Sequence, residues 1–180
     1  WGALWLTNGS TNNRINHLTV KNATIGLLIQ NNDGTAVQVK NTQIYNSSNY
    51  GILAQTGKIV GENVVINNAG VASLACLYGG EYHFTHSTFN NNWNSSSQVA
   101  VLVSNFITGA VPESKDLTQA TFNNCIIYGS YSNEMLLNKK PLRFSIINSI
   151  IVCLNSTIAV IYLLMTLYTN LRRMLLTTAG

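Results

Sequence analysis

The densest grouping of reactive side chains is Glu81-Tyr-His83-Phe-Thr85. On a strand, alternate residues share a face, so Glu81, His83 and Thr85 would point the same way. A carboxylate beside an imidazole is an acid/base couple; an outward polar strand face accounts for the same residues. His83 and His86 are three apart and fall on opposite faces, which argues against a metal pair. The other acids of residues 1–138 are Asp33, Glu62, Glu113, Asp116 and Glu134. Glu62 and Glu81 are 19 residues apart and Asp116 and Glu134 are 18 apart, near enough to one repeat to meet on neighbouring turns. Each is equally readable as a lone surface acid.

Trp93 lies in Asn90-Asn-Asn-Trp-Asn-Ser-Ser-Ser97, where an aromatic at a loop tip can stack on a sugar while amides bond its hydroxyls. A Trp folded back over the edge of its own structure fits as well. Asp116 sits with Glu113 and Lys115 in a loop after Pro112 that either recognises a ligand or is simply solvated. Cys76, Cys125 and Cys153 have no metal-ligand spacing and read as small buried hydrophobes. No phosphate loop or nucleophile elbow is present. Trp93, Glu81, His83 and Asp116 are therefore the binding candidates, and no catalytic residue, metal ligand or cofactor is assigned.

The composition limits what could position them. Of 180 residues, 9% are charged and 46% hydrophobic. A soluble domain carries about 25% charged residues, so polarity must come from elsewhere. It comes from asparagine, with 22 in residues 1–138 and 3 in 139–180. That much apolar side chain opposes disorder, and no heptad pattern supports a coiled coil. The net charge of +4 divides into −1 for residues 1–138 and +5 for 139–180. With no basic cluster in the body, nucleic acid is not an expected partner.

Two motifs repeat. Corner-like segments occur as Ile15/His17/Val20/Asn22, Val39/Asn41/Ile44/Asn46, Gly61/Asn63/Ile66/Asn68, Phe84/His86/Phe89/Asn91 and Phe122/Asn124/Ile127/Gly129, with last positions 24, 22, 23 and 38 residues apart. Between them lie short strand motifs beginning at Trp1, Ile25, Tyr50, Val71, Val99 and Asn133. Polar loops at 91–98 and 106–118 explain the long steps. Asn, Gly and Thr at this density oppose helix, and the Leu spacing of a leucine-rich repeat is absent. A parallel β-helix fits, each turn of chain pairing with the turns beside it. Asn tolerates the left-handed backbone of a tight corner. Stacked amides could also bond in ladders, with Asn22, Asn46, Asn68 and Asn91 as one column and His17, Asn41, Asn63, His86 and Asn124 as another. Solvent-facing corner residues without ladders remain the alternative.

The Asn-x-x-Ile-x-Asn corners, Tyr50-Gly-Ile-Leu-Ala54 and Phe122-Asn-Asn-Cys-Ile-Ile-Tyr-Gly129 resemble right-handed parallel β-helix repeat proteins of the pectin-lyase-like fold. The nearest likeness is to exported surface or periplasmic lipoproteins of Bacteroidota-type bacteria. It covers roughly residues 1–140 and implies an all-β, right-handed solenoid of about five to six rungs with an extracytoplasmic location. Function does not follow, because the scaffold serves lyases, hydrolases and adhesins alike. Lyases of this fold need acidic calcium ligands and a basic residue; hydrolases need grouped carboxylates.

Both ends depart from this resemblance. Trp1 falls inside a rung without a signal peptide or cap, as in a fragment. Residues 141–180 form an atypical apolar tail with three readings. It is a membrane span flanked by Arg172 and Arg173, a further rung with corner spacing at Ile146, Asn148, Ile151 and Cys153, or a non-native frame. Membrane association requires that this tail be genuine. The expected function is a non-catalytic β-helix module of an exported bacterial protein contacting polysaccharide. The alternative is a fragment of a polysaccharide lyase or glycoside hydrolase, and a purely structural spacer is the third class.

Overall fold

The computed structural model describes residues 1–30, 34–95, 97–107, 113–131 and 133–139, and the backbone of 144–153. Segments such as Val37–Ser47 and Lys58–Ala69 largely alternate buried and exposed residues, and, apart from one short antiparallel pair, each strand pairs in parallel with a strand of a neighbouring turn. The product is an all-β parallel solenoid of about 4 turns.

One six-stranded sheet, here sheet A, stacks β1 (Ala3–Leu6), β4 (Ile25–Gln30), β6 (Tyr50–Gln55), β8 (Ala72–Leu77), β11 (Val99–Ser104) and β15 (Met135–Asn138) in that order. These are the six strand motifs seen in the sequence. The second sheet, sheet B, contains β2 (Arg14–Asn16), β3 (Thr19–Lys21), β5 (Val37–Ser47), β7 (Lys58–Ala69), β9 (Gly80–Thr85), β10 (Thr88–Asn91) and β14 (Leu117–Gly129). Strand β16 (Phe144–Cys153) pairs in parallel with β14. The expected alignment set Ile146 beside Phe122; the register instead sets Ile146 beside Ala120 and Asn148 beside Phe122. The apolar run at 157–168 lies outside the described residues. Between β11 and β14, the long insertion carries a small antiparallel pair, β12 (Phe106–Ile107) with β13 (Glu113–Ser114).

Sheet B folds at its corners. His17, Asn41, Asn63, His86 and Asn124 all have left-handed backbone, φ between 48° and 54°. Asn22, Asn46 and Asn68 turn the next corner at φ 56–59°. Asn and His fill these positions because αL costs them least among residues with a Cβ.

The core lies between the sheets as stacked columns. Ile15, Val39, Gly61, Phe84 and Phe122 occupy one register column. Phe84 stacks on Phe122 at 5.8 Å between centroids and meets Phe89 edge-on at 5.2 Å. Cys76 and Cys125 are fully buried, as small hydrophobes would be.

The amide ladders differ in part from expectation. Asn63 Nδ2 donates to Asn41 Oδ1 at 2.9 Å, and Asn41 Nδ2 donates to Asn16 Oδ1, not to His17, at 3.0 Å. Asn124 Nδ2 and His86 Nε2 are 3.2 Å apart. This column is solvent-exposed. Asn91 is no corner residue: it leaves the first column and is buried. Its Nδ2 donates to Ala69 O and Val99 O, both at 2.9 Å, and its Oδ1 accepts from Ala69 N at 3.0 Å. The loop starting at Asn92 diverts the chain here, so a buried amide closes the gap between turns. An unforeseen contact between turns joins Asn90 Nδ2 to Asn67 Oδ1, and on the same turn Asn92 Nδ2 donates to Asn90 Oδ1, each at 3.0 Å.

Candidate functional site

Charge is scarce in this chain, yet it gathers on one face. Arg14, Lys40, Lys58, Glu62, Glu81 and His83 all lie on the outward side of β2, β5, β7 and β9, before the first corner. At one margin is a groove of about 500 Å³ lined by Gly34, Thr56, Gly57, Lys58, Gly80, Glu81, Ser114, Lys115, Asp116 and Thr118.

The groove is built where chain leaves sheet A for sheet B. Gly79 and Gly80 make that turn at φ +73° and +119°, a conformation that other L-residues adopt only under strain. A Cβ on Gly79 would lie 2.5 Å from Asp116 O, and one on Gly80 2.5 Å from Gly57 O, so bare backbone forms the floor. Gly80 N donates to Asp116 O at 3.0 Å and Glu81 N to Gly57 O at 3.0 Å, tying three segments together. The buried Tyr82 hydroxyl donates to Gly79 O at 2.7 Å from inside.

Residues 113–118 form the far wall. Thr118 Oγ1 donates to Gly80 O at 3.1 Å, and Lys115 N donates to Asn105 O at 2.9 Å. The Tyr78 hydroxyl hydrogen-bonds the Glu113 carboxylate, while Lys115 Nζ stands 4.6 Å from the Tyr78 ring centroid. The bond to Glu113 raises the Tyr78 pKa, since a phenolate would face a carboxylate.

Glu81 and His83 are brought together as strand alternation requires, Oε1 to Nε2 at 3.1 Å. Lys58 Nζ is 3.4 Å from Glu81 Oε2. The hydrogen bond from His83 outweighs the opposing effect of burial and, helped by the Lys58 charge, holds the Glu81 carboxyl below the usual range. A carboxylate so held accepts hydrogen bonds and is poorly suited to give up a proton as a general acid.

Two spacing arguments from the sequence fail. Glu62 is level with Thr85, not Glu81, and pairs with Lys40 at 2.6 Å. Asp116 and Glu134 do not meet: Asp116 lines the groove, while Glu134 is buried just before β15, accepting from Tyr131 N at 2.7 Å and Ala100 N at 2.8 Å. The structure instead brings Asp116 to the same groove as Glu81. Lys58, Thr56 and the glycines were missed. The signal was there, because Lys58 precedes corner residue Asn63 by five positions, as Glu81 precedes His86.

Trp93 is elsewhere, at the corner between β10 and β11. It is half-buried, and a Cβ on Gly70 would approach its Nε1 to 3.7 Å, so the indole is folded back over the turn edge. The nearby Asn90 and Asn92 amides are engaged with each other and with Asn67. Among the described residues, no three His, Cys, Asp or Glu side chains converge on a metal position. What the groove offers is two ammonium donors, Lys58 and Lys115, among the carboxylates of Glu81 and Asp116 and the hydroxyl oxygens of Thr56 and Thr118, whose protons already go to Tyr78 O and Gly80 O. No family model, curated protein or solved structure matches the chain.

Proposed function

We propose that the chain is a right-handed parallel β-helix of five to six rungs, of the pectin-lyase-like kind. In this reading it belongs to an exported bacterial protein and contacts polysaccharide without cleaving it. The supporting observation is the groove at Gly57 and Gly80, which concentrates donors and acceptors from successive turns around a glycine floor in a chain otherwise poor in charge. Such alternation suits a polyhydroxylated ligand, whose every hydroxyl both donates and accepts. Glu81 and Asp116 would accept from hydroxyls, and His83 would hold Glu81 ionised. Trp93, half-exposed at its own corner, would add a second, stacking contact.

The test is calorimetric titration with polyuronides and neutral glycans, with and without calcium, on the protein and on Glu81→Ala and Asp116→Ala. Binding that both substitutions weaken at least tenfold supports the proposal. Absence of binding to every glycan overturns it.

The second reading is a lyase or hydrolase fragment, and the placement of Glu81 and Asp116 in one groove favours it. Release of shortened products in the same incubations would establish it and overturn the non-catalytic one. Catalysis would then require a proton donor other than Glu81, whose pKa is lowered.

A further inference from the structure

A third corner column lies where the chain leaves sheet A, and its residues break the rule of the first two. Gln55 and Leu77 are level on adjacent strands, so Thr56 and Tyr78 follow them at the same corner. Both have left-handed backbone, φ 52° and 62°. Among the described residues with a Cβ, eleven have positive φ, and nine of these are Asn or His. The two exceptions are Thr56 and Tyr78. Left-handed backbone is a true outlier for a β-branched or bulky residue, because its Cβ crowds the following carbonyl oxygen. The bend is also sharper here: Tyr78, Gly79 and Gly80 run in succession at φ 62°, 73° and 119°. Strain of this kind persists only where the surroundings hold it, and it gathers at ligand sites.

The contacts of these two residues show what the strain secures. Thr56 N donates to Leu77 O at 3.2 Å and Thr56 Oγ1 to Tyr78 O at 2.8 Å, clamping one turn onto the next. The Tyr78 ring so anchored has Lys115 Nζ 4.6 Å from its centroid, and its hydroxyl donates to the Glu113 carboxylate. Lys115 lines the groove. We infer that Tyr78 is a positioning residue, kept in a strained conformation so that its ring holds the Lys115 ammonium at the far wall of the groove. An Asn at position 78 would relieve the backbone, as at the other corners, but would give the ammonium no aromatic face to rest on. A lysine left free must be immobilised when a ligand hydroxyl meets it, whereas one already held loses less freedom. The purpose assigned to Lys115 rests on the glycan reading of the groove; the strain and the ring contact do not.

The test compares Tyr78→Asn and Tyr78→Phe with the parent chain by three measurements. These are urea denaturation, proton NMR of Lys115, and calorimetric titration with polygalacturonate and with a neutral β-glucan. In the parent, the ring current should move the Lys115 Hε resonances upfield of those of an exposed lysine. Tyr78→Asn should abolish that displacement and leave the denaturation midpoint equal to or above the parent's. It should also weaken glycan binding about three- to tenfold, the cost of immobilising one long side chain. Tyr78→Phe keeps the ring and should restore the displacement and most of the affinity. A midpoint lowered by Tyr78→Asn would make Tyr78 an ordinary structural corner and overturn the inference. Ordinary Lys115 resonances in the parent, or parent-like binding by Tyr78→Asn, would also overturn it. If the parent binds neither glycan, the glycan reading fails by itself, and the midpoints and Lys115 resonances decide for Tyr78.

Discussion

Phe84 fills the space that a side chain at Gly61 would need. The two are level on adjacent turns, and a Cβ on Gly61 would lie 2.3 Å from Phe84 Cδ1. The core column is thus size-compensated from one turn to the next, and its members are not independent. Gly61→Ala should cost about 1–3 kcal/mol by overpacking. Phe84→Leu alone should also destabilise, through lost contact with Phe89 and Phe122. Combined, the two should cost less than their sum by about 0.5–3 kcal/mol. Urea denaturation of the four proteins measures this coupling, and strict additivity would refute the compensation.

Asn91 is the amide on which the loop departure depends. Replacing it by Ala strips partners from Ala69 N, Ala69 O and Val99 O in a dry site. An unsatisfied buried group costs about 1–3 kcal/mol, so Asn91→Ala should lose about 2–4 kcal/mol in all. Asn46 is the control, since it is exposed with φ 56°. Glycine accepts that backbone without strain, and Asn46→Gly should change stability by less than about 1 kcal/mol. Equal losses at the two positions would show that Asn91 serves only as a corner.

That contrast shows where the sequence was legible. Corner positions such as Asn41 and Asn63 announce themselves, because αL backbone restricts residue type locally. The sheet A motifs were equally plain, since stacked strands demand repeated β-branched and aliphatic residues. The distinct role of Asn91 was hidden: whether an amide faces water or bridges two turns depends on how the following loop leaves. The groove was hidden for a related reason. Its walls come from the turns at Gly57 and Gly80 and from residues 113–118, which a 38-residue step separates from the regular period. Glu62 and Glu81 look like neighbours by separation alone, yet the register that decides contact is counted from each corner. Lys58, 23 residues before Glu81, is the true neighbour.

Glu134 should give stability a specific pH dependence. Burial holds its carboxyl above the ordinary range, outweighing the N–H groups of Tyr131 and Ala100 that favour the charge. A carboxyl with a raised folded pKa contributes fully below its unfolded value, near 4.3, and that contribution fades as pH rises through the folded value. Glu134→Gln cannot titrate, and it sets an amide N–H against a backbone N–H. The variant should therefore be less stable than the parent at pH 4, with the gap narrowing toward pH 7. Denaturation midpoints at the two pH values decide this; a gap that widens with pH would mean that the backbone donors dominate.

The two described cysteines should be inert in the folded protein. Cys76 is enclosed between Ala54 and Val103 on the neighbouring strands, and burial pushes its thiol far up, away from the reactive thiolate. Cys125 is also fully buried, and its Sγ contacts Asn123 O at 3.4 Å and Phe84 O at 3.6 Å. Burial raises its pKa more than nearby backbone groups lower it. With Cys153→Ser removing the third thiol, an aromatic disulfide reagent at pH 8 should find neither cysteine until denaturant is added, and both afterwards. Release at the rate of global unfolding would place both thiols inside the stacked columns. Rapid reaction of Cys76 under native conditions would mean that sheet A opens locally, and the rigid column built on Ala54, Cys76 and Val103 would have to be abandoned.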